Sequence, residues 1–287
     1  MTIKTGFVGL GAMGVPMARH LHQRGLLAAL ANRTSDKAVA LAKELGVTAP
    51  DDLAALAAQC DVIALCVTAD ADVLSTIDVL APHMQRGAIV IDHSTVAPET
   101  AKLAAAKLAQ VGVHFLDAPV SGGVEGAKNG KLSVMVGGDA SVLERARPVL
   151  EAYALRITHL GATGAGQATK AVNQVLVAGI AQAVCEGLAL GEALGLDASR
   201  LIPTLGAGAA GNWFLEKRGE TMLRNEFGVG FKLALLHKDL AIVRGIAQQA
   251  GSATQVIERS LADYAQLMSQ GYGDEDISAL IRLKRPS

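Results

Sequence analysis

The sequence predicts an α/β chain in two parts. Residues 1–161 read as a doubly wound sheet, and residues 162–287 as an all-helical domain opened by one long helix. Three observations predict this. Short apolar runs alternate with alanine-rich helical stretches through the first half, the rhythm of βαβ units. A glycine-rich turn separates the first strand from the first helix. From about Gly164 onward the strand signal stops and a helical periodicity takes over.

The elements follow in order. Residues 3–8 (IKTGFV) read as a buried strand, Ala12 to about Arg24 as an amphipathic helix, and residues 26–31 (LLAALA) as a second strand. Between the first strand and the helix lies Gly9-Leu10-Gly11-Ala12-Met13-Gly14, with G-x-G-x-x-G spacing. In that setting the first glycine permits a tight turn, the second lets the backbone approach a pyrophosphate, and the third lets helix and strand pack closely. The helix N-terminus supplies N–H groups and a partial positive charge for phosphate. This predicts a Rossmann-type dinucleotide site. After the second strand come Asn32, Arg33 and Thr34, with no carboxylate until Asp36. An acid here would repel a ribose 2′-phosphate, whereas Arg33 can pair with one. The expected cofactor is therefore NADP(H), with NAD(H) as the second option. Further strands are read at 61–67, 87–92, 113–120, 131–138 and 154–161. The loops after the third and fourth strands, Val67-Thr68 and Ser94-Thr95, fall at the carboxyl edge of the sheet, where ligands collect.

The helix predicted from about Gly164 to Leu194 would be about 45 Å long. An apolar helix of that length is hard to bury in one small subunit, so a homodimer or homotetramer is expected. Further helices are read at 198–207, 212–224, 231–250, 253–270 and 275–283. The long helix opens with GATGAGQATKAVNQ (161–174). Lys170 does not fit a phosphate-binding P-loop, which needs the lysine directly after a glycine. It falls in the first turns of the helix, on one stripe with Asn173, Gln174 and Val177. Lys170 is thus read as a residue for chemistry, with Asn173 beside it.

Composition narrows the classes. The chain is 51% hydrophobic and 18% charged, enough to fill sizeable cores, although aromatics are only 3%. Its 26 basic and 27 acidic side chains nearly cancel, so no field draws it to nucleic acid or an anionic membrane. No stretch of 18 purely apolar residues suggests a membrane span. Three scattered cysteines make neither a disulfide framework nor a zinc site, and no metal site is expected. The start runs straight into a strand without a secretory segment, so the expected location is the cytoplasm. The closing basic residues Arg282, Lys284 and Arg285 are read as a solvated tail.

In combination, GFVGLGAMGVPMA (6–18), DAPVSGG (117–123), GAGQATKAVNQ (164–174) and KDL (238–240) resemble the β-hydroxyacid dehydrogenase family, in order and over nearly the whole chain. The family includes 3-hydroxyisobutyrate dehydrogenase and tartronate semialdehyde reductase. The resemblance implies an NADP-dependent oxidoreductase that interconverts a small β-hydroxy acid and its semialdehyde or keto acid. Lys170 would be the catalytic lysine and Asn173 its partner at the substrate. Ser121, Gly122 and Gly123 would hold the substrate carboxylate, with Trp213 and Phe231 lining the pocket. Val67, Thr68, Thr95 and Lys238 would line the cofactor. Asp117 is read as fixing its loop. A lysine free in water, with a pKa of about 10.4, is mostly protonated at neutral pH. Burial near a cationic nicotinamide disfavours the ammonium and moves it toward the useful range of ~7–8. Several relatives carry Asn-Asn where this chain has Asn173-Gln174, which leaves the role of the second position open. An imine reductase on the same architecture is one alternative, although it would generally lack the lysine and the Ser-Gly-Gly turn. A non-catalytic dinucleotide-binding protein is the other.

Overall fold

The computed structural model describes residues 3–285. They divide into two units, the first ending at Lys170 and the second beginning at Ala171.

The strands of the first unit are β1 (Thr5–Val8), β2 (Leu27–Ala31), β3 (Val62–Leu65), β4 (Ile89–Asp92), β5 (His114–Asp117), β6 (Val120–Ser121), β7 (Leu132–Gly137) and β8 (Ala154–Gly161). They form one sheet in the order β2-β1-β3-β4-β5-β7-β6, with β8 pairing to β7 off this path. The first five strands are parallel. Alternate residues enter two different cores: Phe7, Val62, Ala64, Ile89 and Ile91 on one face, Val8, Ile63, Leu65 and Val90 on the other. Burial on both faces is what near-continuous apolar strands in a parallel sheet require. The connecting helices are α1 (Gly14–Gln23), α2 (Ser35–Leu45), α3 (Leu53–Gln59), α4 (Asp70–Leu80), α5 (Pro98–Gln110), α6 (Gly123–Lys128) and α7 (Ala140–Leu150).

Two details differ from the sequence reading. The single strand expected at 113–120 is two strands, broken at Ala118 and Pro119, where proline has no N–H to give a ladder. The sheet is also not parallel throughout. β7 runs antiparallel to β5 and β6, and β8 pairs parallel with β7.

Helix α8 (Ala165–Ala193) contributes its first turns to this unit and the remainder to the second. The second unit continues with α9 (Ala198–Gly206), α10 (Trp213–Leu223), α11 (Leu233–Gln249), α12 (Gln255–Ser269) and a closing 3₁₀ segment, Ile277–Leu283. Ala178, Ala181, Cys185 and Leu188 of α8 share a core with Leu236 and Leu240 of α11 and with Tyr264 and Leu267 of α12. By length and composition alone α8 is apolar enough to cross a membrane. Its polar side chains are nevertheless tied to neighbouring helices: Gln174 donates to Asp239 and Gln182 to Asp263.

The basic residues at the end of the chain are not a solvated tail. Arg282 pairs with Glu275, and its guanidinium lies 4.3 Å from the rings of both Phe227 and Tyr272. Lys284 is buried against Asp263 at 2.8 Å, and Arg285 pairs with Glu192 at 2.7 Å. Each charge finds a carboxylate outside this terminal cluster, which composition alone does not disclose.

Candidate active site

The glycine turn after β1 separates into structural and open positions. A β-carbon at Gly9 would strike the Cys66 carbonyl oxygen, and one at Gly14 would strike the carbonyl of Gly9. These two glycines are explained by the packing of the protein itself. Gly11 is not. Among the described glycines of the first unit, Gly11 alone has neither a positive φ nor any atom within 4 Å of the place a β-carbon would occupy. Space kept clear above a helix N-terminus fits a phosphate group approaching the backbone. Asn32 ties this turn to the end of β2: its Oδ1 accepts from the Leu10 N–H at 2.9 Å and its Nδ2 donates to the Thr34 carbonyl at 3.1 Å. Ala12 is exposed and Met13 half-buried on the same turn. Arg33 stands out from the end of β2 with its side chain 88% exposed, 3.8 Å from Asp72. Thr34 opens α2 without a side-chain cap, so the first N–H groups of that helix lie beside Arg33.

The carboxyl edge of β3 and β4 is braced by buried polar groups. Ser94 Oγ accepts from the Val67 N–H at 2.9 Å, and Asp92 Oδ1 accepts from the Ser94 N–H at 2.9 Å. Asp92 Oδ2 has no hydrogen-bond partner among the described residues, and burial raises the Asp92 carboxyl to about 7. Thr68 is exposed beyond Val67, and Thr95 is half-buried beside Ser94. Gln167 at the start of α8 holds this edge: its Nε2 donates to the Ser94 carbonyl at 2.8 Å and its Oε1 accepts from the Val96 N–H at 3.2 Å. His93 is unsuited to proton transfer here. Burial lowers it to about 4, and its ring nitrogens are taken by the Ala118 carbonyl and the Tyr153 hydroxyl.

Asp117, at the end of β5, caps α8. Its Oδ1 accepts from the Gly164 N–H at 2.8 Å and its Oδ2 from the Gln167 N–H at 3.0 Å. Burial nonetheless pushes its carboxyl upward, against those hydrogen bonds. A β-carbon at Gly166 would strike the Met135 carbonyl, so the helix starts as close to the sheet as glycine allows. One turn later Lys170 is buried, and its Nζ donates to the Val120 carbonyl at 2.8 Å. The next residue after Val120 is Ser121, paired across to Ser133. Gly122 and Gly123 follow with φ of 127° and 60°, a turn that side chains with a β-carbon rarely adopt. Lys170 and the Ser121-Gly122-Gly123 turn are therefore brought together within the first unit.

In the second unit four side chains form a line. Asn173 Nδ2 donates to Gln174 Oε1 at 2.8 Å, and Gln174 Nε2 donates to Asp239 Oδ2 at 2.7 Å. Asp239 Oδ1 pairs with Lys238 Nζ at 2.7 Å. The line joins α8 to α11. A second group surrounds Asp276, whose Oδ2 accepts from the Gly230 and Phe231 N–H groups at 2.8 and 2.9 Å. Asp276 Oδ1 lies 3.5 Å from Arg218 Nε, and the Arg218 guanidinium sits 5.4 Å from the centre of the Trp213 ring. Trp213 is half-exposed rather than core, and Phe231 is half-buried. Sequence reading did not single out Gln167, Asp239, Arg218 or Asp276. Each is a polar residue whose partner lies far along the chain, or whose role depends on burial.

The comparisons with known proteins agree with this fold. The family model described as the NAD binding domain of 6-phosphogluconate dehydrogenase matches residues 4–161. That described as NAD-binding of NADP-dependent 3-hydroxyisobutyrate dehydrogenase matches residues 164–284. The NAD-dependent L-serine dehydrogenase of Pseudomonas aeruginosa is 35% identical, over 98% of this chain and 97% of that one. The 2-hydroxy-3-oxopropionate reductase of Escherichia coli is 33% identical, over 98% and 96%. The solved structure of Mycobacterium tuberculosis 3-hydroxyisobutyrate dehydrogenase with L-serine is 32% identical, covers all of both chains and superimposes with a TM-score of 0.89.

Proposed function

The chain belongs to the β-hydroxyacid dehydrogenase family, and on that premise we propose that it is an NADP(H)-dependent enzyme interconverting a small β-hydroxy acid and its semialdehyde or keto acid, with Lys170 as general acid and base. The observation that carries the reading is the buried Lys170 side chain, whose Nζ is fixed to the Val120 carbonyl next to the Ser121-Gly122-Gly123 turn.

Gly9, Leu10, Gly11, Ala12, Met13 and Gly14 would hold the pyrophosphate, with Asn32, Arg33 and Thr34 at the ribose and Val67, Thr68, Thr95 and Lys238 along the rest of the cofactor. When bound, the nicotinamide supplies or accepts the hydride. The protein's own residues do the remainder. The Ser121 hydroxyl and the N–H groups of Gly122 and Gly123 bind the substrate carboxylate, because a turn without side chains lets an anion approach its backbone. Trp213 and Phe231 exclude water from the apolar side of the substrate. In the oxidising direction Lys170 takes the proton from the substrate hydroxyl. In the reducing direction its ammonium stabilises the charge growing on the carbonyl oxygen and then protonates it. Asn173 orients that oxygen.

The preference for NADP(H) rests on Arg33, whose pairing with Asp72 is long and at the surface and leaves the guanidinium able to turn toward a phosphate. Homodimerisation belongs to the same proposal. Val172, Leu176 and Ile180 recur at i, i+4 and i+8 on α8, exposed by 62%, 61% and 38%, and Leu190 and Leu194 continue the exposed apolar surface.

The test is NADPH oxidation with a panel of small carbonyl acids, repeated with NADH and with Lys170→Ala. Turnover should favour NADPH and fall about 10²–10⁴-fold in Lys170→Ala, the range for loss of a positioned acid or base. Unchanged turnover in that variant would overturn the mechanism.

A further inference from the structure

The line of side chains from Lys238 through Asp239 and Gln174 to Asn173 has a direction. We infer that Gln174 is a positioning residue that holds the Asn173 amide in place through a polar line anchored at Asp239. The inference rests on the placement of Asn173 at the substrate proposed above.

Asp239 sets the direction. It is paired with the Lys238 ammonium at 2.7 Å, and a carboxylate in an ion pair can only accept. An amide facing it must present its NH₂. Gln174 therefore has Nε2 toward Asp239, at 2.7 Å, and cannot be turned over without setting oxygen against oxygen. Its Oε1 is then committed to the other side, where it accepts from Asn173 Nδ2 at 2.8 Å. The same constraint passes to Asn173: with Nδ2 given to Gln174, Oδ1 takes the opposite edge of the amide. Gln174 is 1% exposed and Asp239 3%, so water does not compete for the junction between them. The extra methylene of glutamine, relative to asparagine, gives the reach that joins α8 to Asp239 on α11.

Holding Asn173 has a chemical consequence. In the proposed mechanism Asn173 orients the reacting oxygen while Lys170 exchanges its proton, so a loose Asn173 amide misplaces that oxygen.

Two variants test the polarity of the chain. Gln174→Glu removes the donor at the Asp239 junction and sets two carboxylates together. Gln174→Met keeps the length and removes both hydrogen bonds. Each should lower kcat/KM for the hydroxy acid by about 100-fold, the loss expected for a reacting group misplaced by about 1 Å. Adding Asp239→Asn returns a single donor to the junction, this time from position 239. It should recover at least about tenfold in Gln174→Glu and nothing in Gln174→Met. Rescue in one variant and not in the other is a pattern that mere loosening of the helices would not produce. Failure of Asp239→Asn to rescue Gln174→Glu, or equal recovery in Gln174→Met, overturns the inference while the mechanism stands. Full activity in Lys170→Ala, assayed beside them, overturns the mechanism instead.

Discussion

Two glycines of one motif should respond to the same substitution in opposite ways. In Gly11→Ala the new methyl meets no atom within 4 Å, and the backbone is not in the left-handed region. Alanine at a compatible glycine restricts the unfolded chain and stabilises by about 0.4–1 kcal/mol. Folding should therefore be unharmed. Cofactor binding should not be. If the pyrophosphate lies against this backbone, the methyl displaces it. A charge-assisted hydrogen bond lost there costs about 1.5–3 kcal/mol, roughly 10–150-fold in Kd. In Gly14→Ala the methyl collides with the Gly9 carbonyl oxygen, a backbone atom that cannot rotate aside. The loop and helix must separate, at about 1–3 kcal/mol of stability, and binding weakens as well. Urea unfolding and a fluorescence titration with NADPH measure the two effects separately. Gly11→Ala binding NADPH like the parent, or unfolding more than about 1 kcal/mol more easily, would refute the assignment of that space to phosphate.

Further outcomes follow from single contacts. Arg33→Ser should lower kcat/KM with NADPH by roughly 10–100-fold and leave NADH and stability nearly unchanged, because the Asp72 pair it breaks is an exposed one; an equal loss with both cofactors would count against a 2′-phosphate role. The Asp92 carboxyl is raised from 3.8 to about 7 by burial, so its native form holds the proton longer than its unfolded form. Stability therefore falls as pH rises from about 4 to about 7, and Asp92→Asn should remove that slope, gaining roughly 3 kcal/mol relative to the parent between pH 5 and pH 8 in urea unfolding. No change in the difference with pH would place the ionisation elsewhere. Lys284→Met should cost about 2–3 kcal/mol, less than a wholly broken buried pair, because Arg259 and Gln182 still reach Asp263; a truly solvated tail would show less than about 0.5 kcal/mol.

What was legible in the sequence was local. Strands β1, β3 and β4 announce themselves because both faces of a parallel strand are buried, and every residue in each of them is buried. The glycine motif is legible for a related reason: its turn and its helix start fall within one short stretch of chain. The helix start that carries Lys170 was readable from its glycines, and the Asp117 cap that fixes this start is now visible as its cause. The antiparallel entry of β7 was not legible, since pairing direction depends on how the chain returns and not on the strand's own residues. The fate of the terminal cations was hidden for the same reason: Lys284 meets Asp263 and Arg285 meets Glu192, a partner 93 residues away. Gln174 shows the boundary most clearly. Its departure from the family pattern could be seen in the sequence, but the meaning of that departure lies with Asp239, 65 residues on. A glutamine has no fixed polarity of its own. Here it acquires one from an ion pair on another helix and passes it to the neighbour that faces the substrate in the proposed mechanism. A substitution that looks conservative in sequence can thus be the residue that decides how firmly the amide beside it is held.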